Sequence, residues 1–175
     1  MSDRNILYDS FLKRYPQESL SGLALQEYTD LVPKESFCNW IESKLSELGS
    51  IWGSNSYKFG IYRYKNKPKE NSKFKYDHTY AWLSKLGASD ANSAFAIVRD
   101  ALVDIARAAR DKDLEAIEKI HTIDGMFKWK IAFLYSDKWL IPIYSRDWLK
   151  EICTNLGMPD GNKATIAQMM RFLID

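Results

Sequence analysis

Cysteine and histidine are scarce in this chain, with two of each among 175 residues. Cys38 and Cys153 are too few and too far apart to staple a fold of this size, and a reducing compartment leaves them as thiols. His78 and His121 have no cysteine or paired carboxylate near them at ligand spacing, which excludes the usual zinc patterns and leaves no metal expected. No apolar run approaches the roughly 18 residues that span a bilayer. The opening residues Met1, Ser2, Asp3 and Arg4 lack the apolar stretch of a signal peptide, so a cytoplasmic protein is expected. The phosphate-cradling pattern G-x-x-x-x-G-K-[ST] is missing too, since Gly157 to Lys163 does not meet its spacing. Nucleotide hydrolysis and cofactor binding are therefore not expected. Neither an internal repeat nor a low-complexity tract is present.

What the chain does have is apolar and aromatic material, 46% and 14% of its residues, enough for one substantial core. A single domain over residues 1–175 is expected, of the α+β class, predominantly helical with a small β-sheet. Asn5 to Arg14 reads as a helix with Ile6, Leu7, Phe11 and Leu12 on one side. A second helix starts near Pro33, repeats Phe37, Trp40, Ile41, Leu45 and Leu48, and stops at Gly49. Tyr57 to Lys65 has strand character, Asn66 to Ser72 is a polar loop, and Tyr76 to Leu86 fits either period. Ser89 or Asp90 can cap a long helix whose inner face is Phe95, Val98, Leu102 and Ile105. A short helix follows on Leu114, Ile117 and Ile120. Phe127 to Tyr135 satisfies both periods, and its length favours helix. Leu140 to Tyr144, with Pro142, reads as an edge strand, and Ser145 caps a helix with Trp148, Leu149, Ile152 and Leu156 inward before Gly157. Ile166, Met169, Met170 and Leu173 continue a helical pattern to Asp175 with no closing residue, as expected of a piece of a longer protein. Trp40, Trp82, Trp129 and Trp148 belong to apolar patterns and are expected in the core, whereas Trp52 and Trp139 adjoin turns.

Charge is unevenly distributed. Lys58, Arg63, Lys65, Lys67, Lys69, Lys73 and Lys75 face a single anion, Glu70, so this segment holds +6 of a chain whose net charge is +2. Tyr57, Phe59, Tyr62, Tyr64, Phe74 and Tyr76 are threaded through it, and rings among cations can stack on bases while phosphates are neutralised. Strand alternation over Tyr57 to Lys65 would place Tyr57, Phe59, Ile61 and Arg63 on one face and Lys58, Tyr62 and Tyr64 on the other. Nucleic acid is the first partner to consider, with Lys58, Arg63, Lys65, Lys67, Lys73 and Lys75 on phosphates and Trp52, Tyr62 or Tyr64 as a stacking surface. Six phosphates engaged on duplex DNA would give a log–log salt slope near about −5. Other charged stretches have plainer readings. Arg99, Arg107 and Arg110 alternate with Asp100, Asp104 and Asp111, which is the pattern of a self-paired helix face. Asp111, Asp113, Glu115 and Glu118 superficially suggest a metal-dependent nuclease, but a Glu115 to Lys119 pair at i, i+4 accounts for them more simply.

Three stretches carry a family resemblance: Tyr28-Thr29-Asp30 leading to Phe37-Cys38-Asn39-Trp40-Ile41-Glu42; Leu48-Gly49-Ser50-Ile51 through Lys58-Phe59-Gly60-Ile61-Tyr62; and Lys128-Trp129-Lys130-Ile131-Ala132-Phe133-Leu134-Tyr135 before Ile141-Pro142-Ile143-Tyr144. Together, over roughly residues 25 to 156, they resemble the N-terminal region ahead of the motor module in McrB-like AAA+ proteins of bacterial restriction systems. The resemblance implies a non-enzymatic DNA-binding specificity domain for phage defence, followed by an AAA+ motor and served by a separate nuclease subunit. It assigns no individual binding residue and no modified base. The abundance of Tyr, Trp and Arg also fits an alternative, a protein-interaction or assembly module of a defence protein.

Overall fold

The computed structural model describes residues 3–175 except 33, 52–55, 67, 68, 70, 160 and 162. The chain is 59% helical with one three-stranded antiparallel sheet, which makes it predominantly helical α+β. No helix among the described residues is long and apolar enough to cross a membrane.

Helix α1 (Asp3–Arg14) buries Tyr8 and Phe11 and leaves Ile6 half exposed, so its inner stripe is rotated from the expected one. A 3-10 turn (Gln17–Gly22) and the short α2 (Leu25–Thr29) follow. The expected second helix exists in pieces: α3 (Phe37–Asn39), a π-helical turn (Trp40–Lys44) and a 3-10 turn (Ser46–Leu48). In the wide turn the Leu45 N–H reaches the Trp40 carbonyl, five residues back, at 2.9 Å. Ile41 and Leu45 are both fully buried, so a change of helical pitch accompanies the packing of these apolar residues.

The expected strand over Tyr57 to Lys65 is shorter. Ser56–Phe59 is a 3-10 turn, Gly60 has φ +79°, and β1 spans Ile61–Arg63. Strands β2 (Phe74–Tyr76) and β3 (Tyr80–Leu83) form a hairpin; the Asp77 carboxylate accepts from the Thr79 and Tyr80 N–H groups and turns the chain. The ambiguous Tyr76 to Leu86 run is thus turn and strand. Strand order is β1-β3-β2.

Helix α4 (Ala91–Arg110), capped by Asp90, carries the expected buried face of Phe95, Val98, Leu102 and Ile105. Helix α5 (Leu114–Lys119) packs on it, as does α6 (Gly125–Leu134), in which every residue from Phe127 to Leu134 is buried. That complete burial explains the double period of the α6 sequence: a segment surrounded on all sides shows no polar face. The expected edge strand Leu140 to Tyr144 makes no ladder. Pro142 has no donor and the Ile143 N–H is spent locally on the Ile141 carbonyl at 2.9 Å. Helices α7 (Arg146–Asn155) and α8 (Ile166–Ile174) pack on each other; Ser145 caps the first and Thr165, with Gln168 in a capping box, the second. Trp148 is 62% exposed and Leu156 63%, so both depart from the inward placement read from their spacing.

Candidate nucleic-acid interface

Pairing in the sheet aligns Ile61 with Trp82, Arg63 with Tyr80, and Lys75 with Trp82. Opposite residues share a face, so Ile61, Arg63, Lys75, Tyr80 and Trp82 lie on one side. Ile61 and Trp82 join the main core there, beside α4. The other side carries Tyr62, Phe74, Tyr76, Ala81 and Leu83. The 3-10 turn before β1 lays the Tyr57 ring over Phe74, with centroids 3.9 Å apart and planes 26° from parallel. Tyr62 stands 5.9 Å from Tyr57 and Tyr76 6.4 Å from Phe74. Phe74 is buried yet lies outside the main core, so this is a separate aromatic layer on the sheet's outer face. Tyr57, Tyr62 and Tyr76 remain half-buried. Burial raises the Tyr62 hydroxyl to about 12, with the neighbouring tyrosines adding to the rise, so the Tyr62 ring stays neutral at physiological pH.

The cations do not gather in one place. Lys58, expected to neutralise phosphate, is 2% exposed: its ammonium pairs with the Glu42 carboxylate and donates to the Ile51 carbonyl at 3.2 Å. The reason is local. A 3-10 turn replaces the strand period, and the Lys58 side chain points inward. Lys75 lies on the opposite face from the aromatic layer and donates to the Ala88 carbonyl at 3.0 Å. Arg63 shares that opposite face and pairs with Asp30 at 2.8 Å. Tyr64 is half-buried, with its hydroxyl donating to the Asp77 carbonyl. Lys65 is exposed just beyond β1, and Lys73 is exposed at the start of β2. Trp52 and Lys67 lie outside the described residues.

Lys85, not singled out by the sequence reading, stands near Lys73. Both line a cleft of about 370 Å³ with Tyr57, Leu83, Ser84, Asp124 and Lys58, whose ammonium is held by Glu42 and the Ile51 carbonyl. The sequence signal of Lys85 was faint, a lone lysine after a strand whose limits were unclear.

Two lysines of α6 are also internal. Lys128 donates to the Glu118 and Ile120 carbonyls, both at 2.9 Å, closing the end of α5. Lys130, fully buried, donates to the Leu45 carbonyl at 2.8 Å and the Gly49 carbonyl at 2.6 Å. Burial, assisted by the Lys58 charge and opposed by Glu42, brings the Lys130 ammonium down to about 7 from 10.5. The unfolded chain holds that proton up to the higher value and the folded chain releases it near the lower one. Stability therefore rises with pH between about 7 and about 10.5 on account of Lys130, and the contribution is at its least favourable below 7. Urea unfolding of wild type and Lys130→Met across pH 6 to 10 (roughly that window) should show a difference that varies with pH. A constant difference would assign the titration elsewhere.

The carboxylates of the polar stretch around α5 are structural. Asp113 caps α5, Glu118 accepts from the Ala167 N–H at 2.8 Å, and Glu115 receives Arg171 through both oxygens at 2.8 Å. Glu115 is thus held by Arg171 of α8, where its spacing had suggested Lys119. Among the described residues no group of three or more His, Cys, Asp or Glu could hold a metal ion. Arg107 pairs with Asp104, as the alternating charges of α4 indicated.

Compared with family models, curated proteins and solved structures, the chain matches none.

Proposed function

We propose that this chain is a DNA-binding specificity domain of a McrB-like restriction system. The observation that carries the reading is the outer aromatic layer of the sheet, Tyr57, Tyr62, Phe74 and Tyr76, with Lys73 and Lys85 beside Tyr57 and Lys65 exposed just beyond β1. Rings on a firm sheet face offer stacking area at low entropic cost, and the lysines supply the phosphate term. The resemblance of the three sequence stretches adds the context: an AAA+ motor downstream, a nuclease on a separate subunit, and no chemistry in this chain itself.

With Lys58 internal and Arg63 and Lys75 turned to the other face, about three phosphates remain within reach, and the expected log–log salt slope on duplex DNA falls to about −3. Fluorescence anisotropy against methylated and unmethylated duplexes, single-stranded DNA and RNA at two salt concentrations tests this. Binding of DNA with that slope is expected, and absence of binding to every nucleic acid would overturn the proposal.

A second reading, a protein-interaction or assembly module, is favoured by one observation. Trp148 and Ile152 of α7 and its C-cap Leu156 form an i, i+4, i+8 row, with the first and last largely exposed. Salt-insensitive capture of a defence protein without any gel shift would support it.

A further inference from the structure

We propose that the cleft beside Tyr57 is a nucleotide subsite that takes one unpaired nucleotide of a DNA strand, base against Tyr57 and Leu83, phosphate between Lys73 and Lys85. This deepens the DNA-binding reading and rests on it.

The cleft of about 370 Å³ lies at the lower end of the range for small-molecule sites and matches a single nucleotide in scale. Its lining is divided by chemistry. Tyr57 and Leu83 present ring and aliphatic surface from the outer side of the sheet. Lys73 has no side-chain partner among the described residues, and Lys85 spends one of its three donors on the His121 carbonyl at 2.6 Å. Ser84 donates its hydroxyl to the Ser72 carbonyl at 3.0 Å and keeps its lone pairs for an incoming donor. Asp124, whose Oδ1 already accepts from the Met126 N–H at 2.9 Å, adds a carboxylate to the same cleft.

Two ammonium groups alone would take any anion. The ring and leucine ask for a flat apolar body attached to that anion, and the carboxylate asks for a donor on the same ligand. A nucleotide whose base bears an exocyclic amino group meets all three requirements, whereas the single donor of unpaired thymine, N3–H, sits between two carbonyl oxygens that would face the carboxylate. The base must also be unpaired, because a paired base is held between its neighbours in the stack and cannot lie against Tyr57. Tyr57 is firmly placed for this role by its stack on Phe74.

The test uses the whole chain, a fluorescein-labelled oligo-dC and an oligo-dT of about eight residues, and a duplex of matched length. Oligo-dC should bind more tightly than either the duplex or oligo-dT. Tyr57→Ala should weaken oligo-dC roughly tenfold while Tyr57→Phe does not. Lys73→Gln with Lys85→Gln, which alters surface residues and should leave the melting temperature unchanged, should weaken oligo-dC and lower its salt slope by about 1. Free dCMP should compete weakly; dCMP binding as tightly as the oligomer would overturn the strand assignment in favour of a free nucleotide. Duplex binding that survives with oligo-dC unaffected by these variants would overturn the subsite and leave the specificity-domain reading intact. No binding to any DNA would overturn both.

Discussion

Gly49→Ala is expected to destabilise the protein by on the order of 4 kcal/mol, lowering the melting temperature by roughly 10 °C in a chain of this size. Gly49 has φ +93°, where an L side chain is strained. A Cβ there would also stand 2.5 Å from Cε2 of Tyr144 and 2.7 Å from the Pro142 carbonyl oxygen. Neither can retreat easily. Tyr144 is buried with its hydroxyl donating to the Leu48 carbonyl, and the Gly49 carbonyl is itself held by Lys130. Gly22→Ala is the control, since nothing lies within 4 Å of its added carbon and its φ is not positive. Urea denaturation of both variants checks this. A Gly49→Ala midpoint close to that of wild type would mean that Tyr144 and the loop before α7 are free to move.

Charge reversal should separate the internal lysine from the surface ones. Lys58→Glu is expected to cost on the order of 4 kcal/mol or more, enough to leave much of the protein unfolded at 37 °C (about physiological), because a second carboxylate would face Glu42 and the Ile51 carbonyl in a site where the native side chain is 1% exposed. Lys73→Glu should leave the unfolding midpoint nearly unchanged and weaken DNA binding. Circular dichroism melts beside anisotropy titrations read both effects. If Lys58→Glu folds normally and loses DNA affinity, Lys58 belongs to the interface after all.

The parts of the fold that were legible in the sequence are those where one face meets core and another meets water. Helix α4 is the clearest, with an apolar stripe, a capping Asp90 and paired charges outside. Where burial is complete, periodicity carries no direction: α6 could be read either way, and nothing in its spacing shows that both of its lysines end on backbone carbonyls. The π turn was hidden for another reason. Its apolar spacing looks α-helical, and the wider turn shows only in the Leu45 N–H reaching the Trp40 carbonyl. At the candidate interface, ring content was visible but placement was not. Strand alternation put Tyr57 beside Ile61 and Lys58 beside Tyr62, and a single 3-10 turn exchanged them, sending the lysine inward and the tyrosine onto Phe74. A count of cations cannot anticipate that exchange, because it depends on Glu42, a part-buried partner sixteen residues away in the chain.

The strand order has a consequence for assembly. β2 and β3 are joined by a tight turn, so their pairing closes a short loop, whereas β1 reaches the far edge of β3 across the length of that hairpin. Tyr57 and Tyr62 come to the aromatic layer from one side of that connection, and Phe74 and Tyr76 from the other. The surface assigned to DNA is therefore a seam between two parts of the chain, and closing it costs more loop entropy than closing the hairpin.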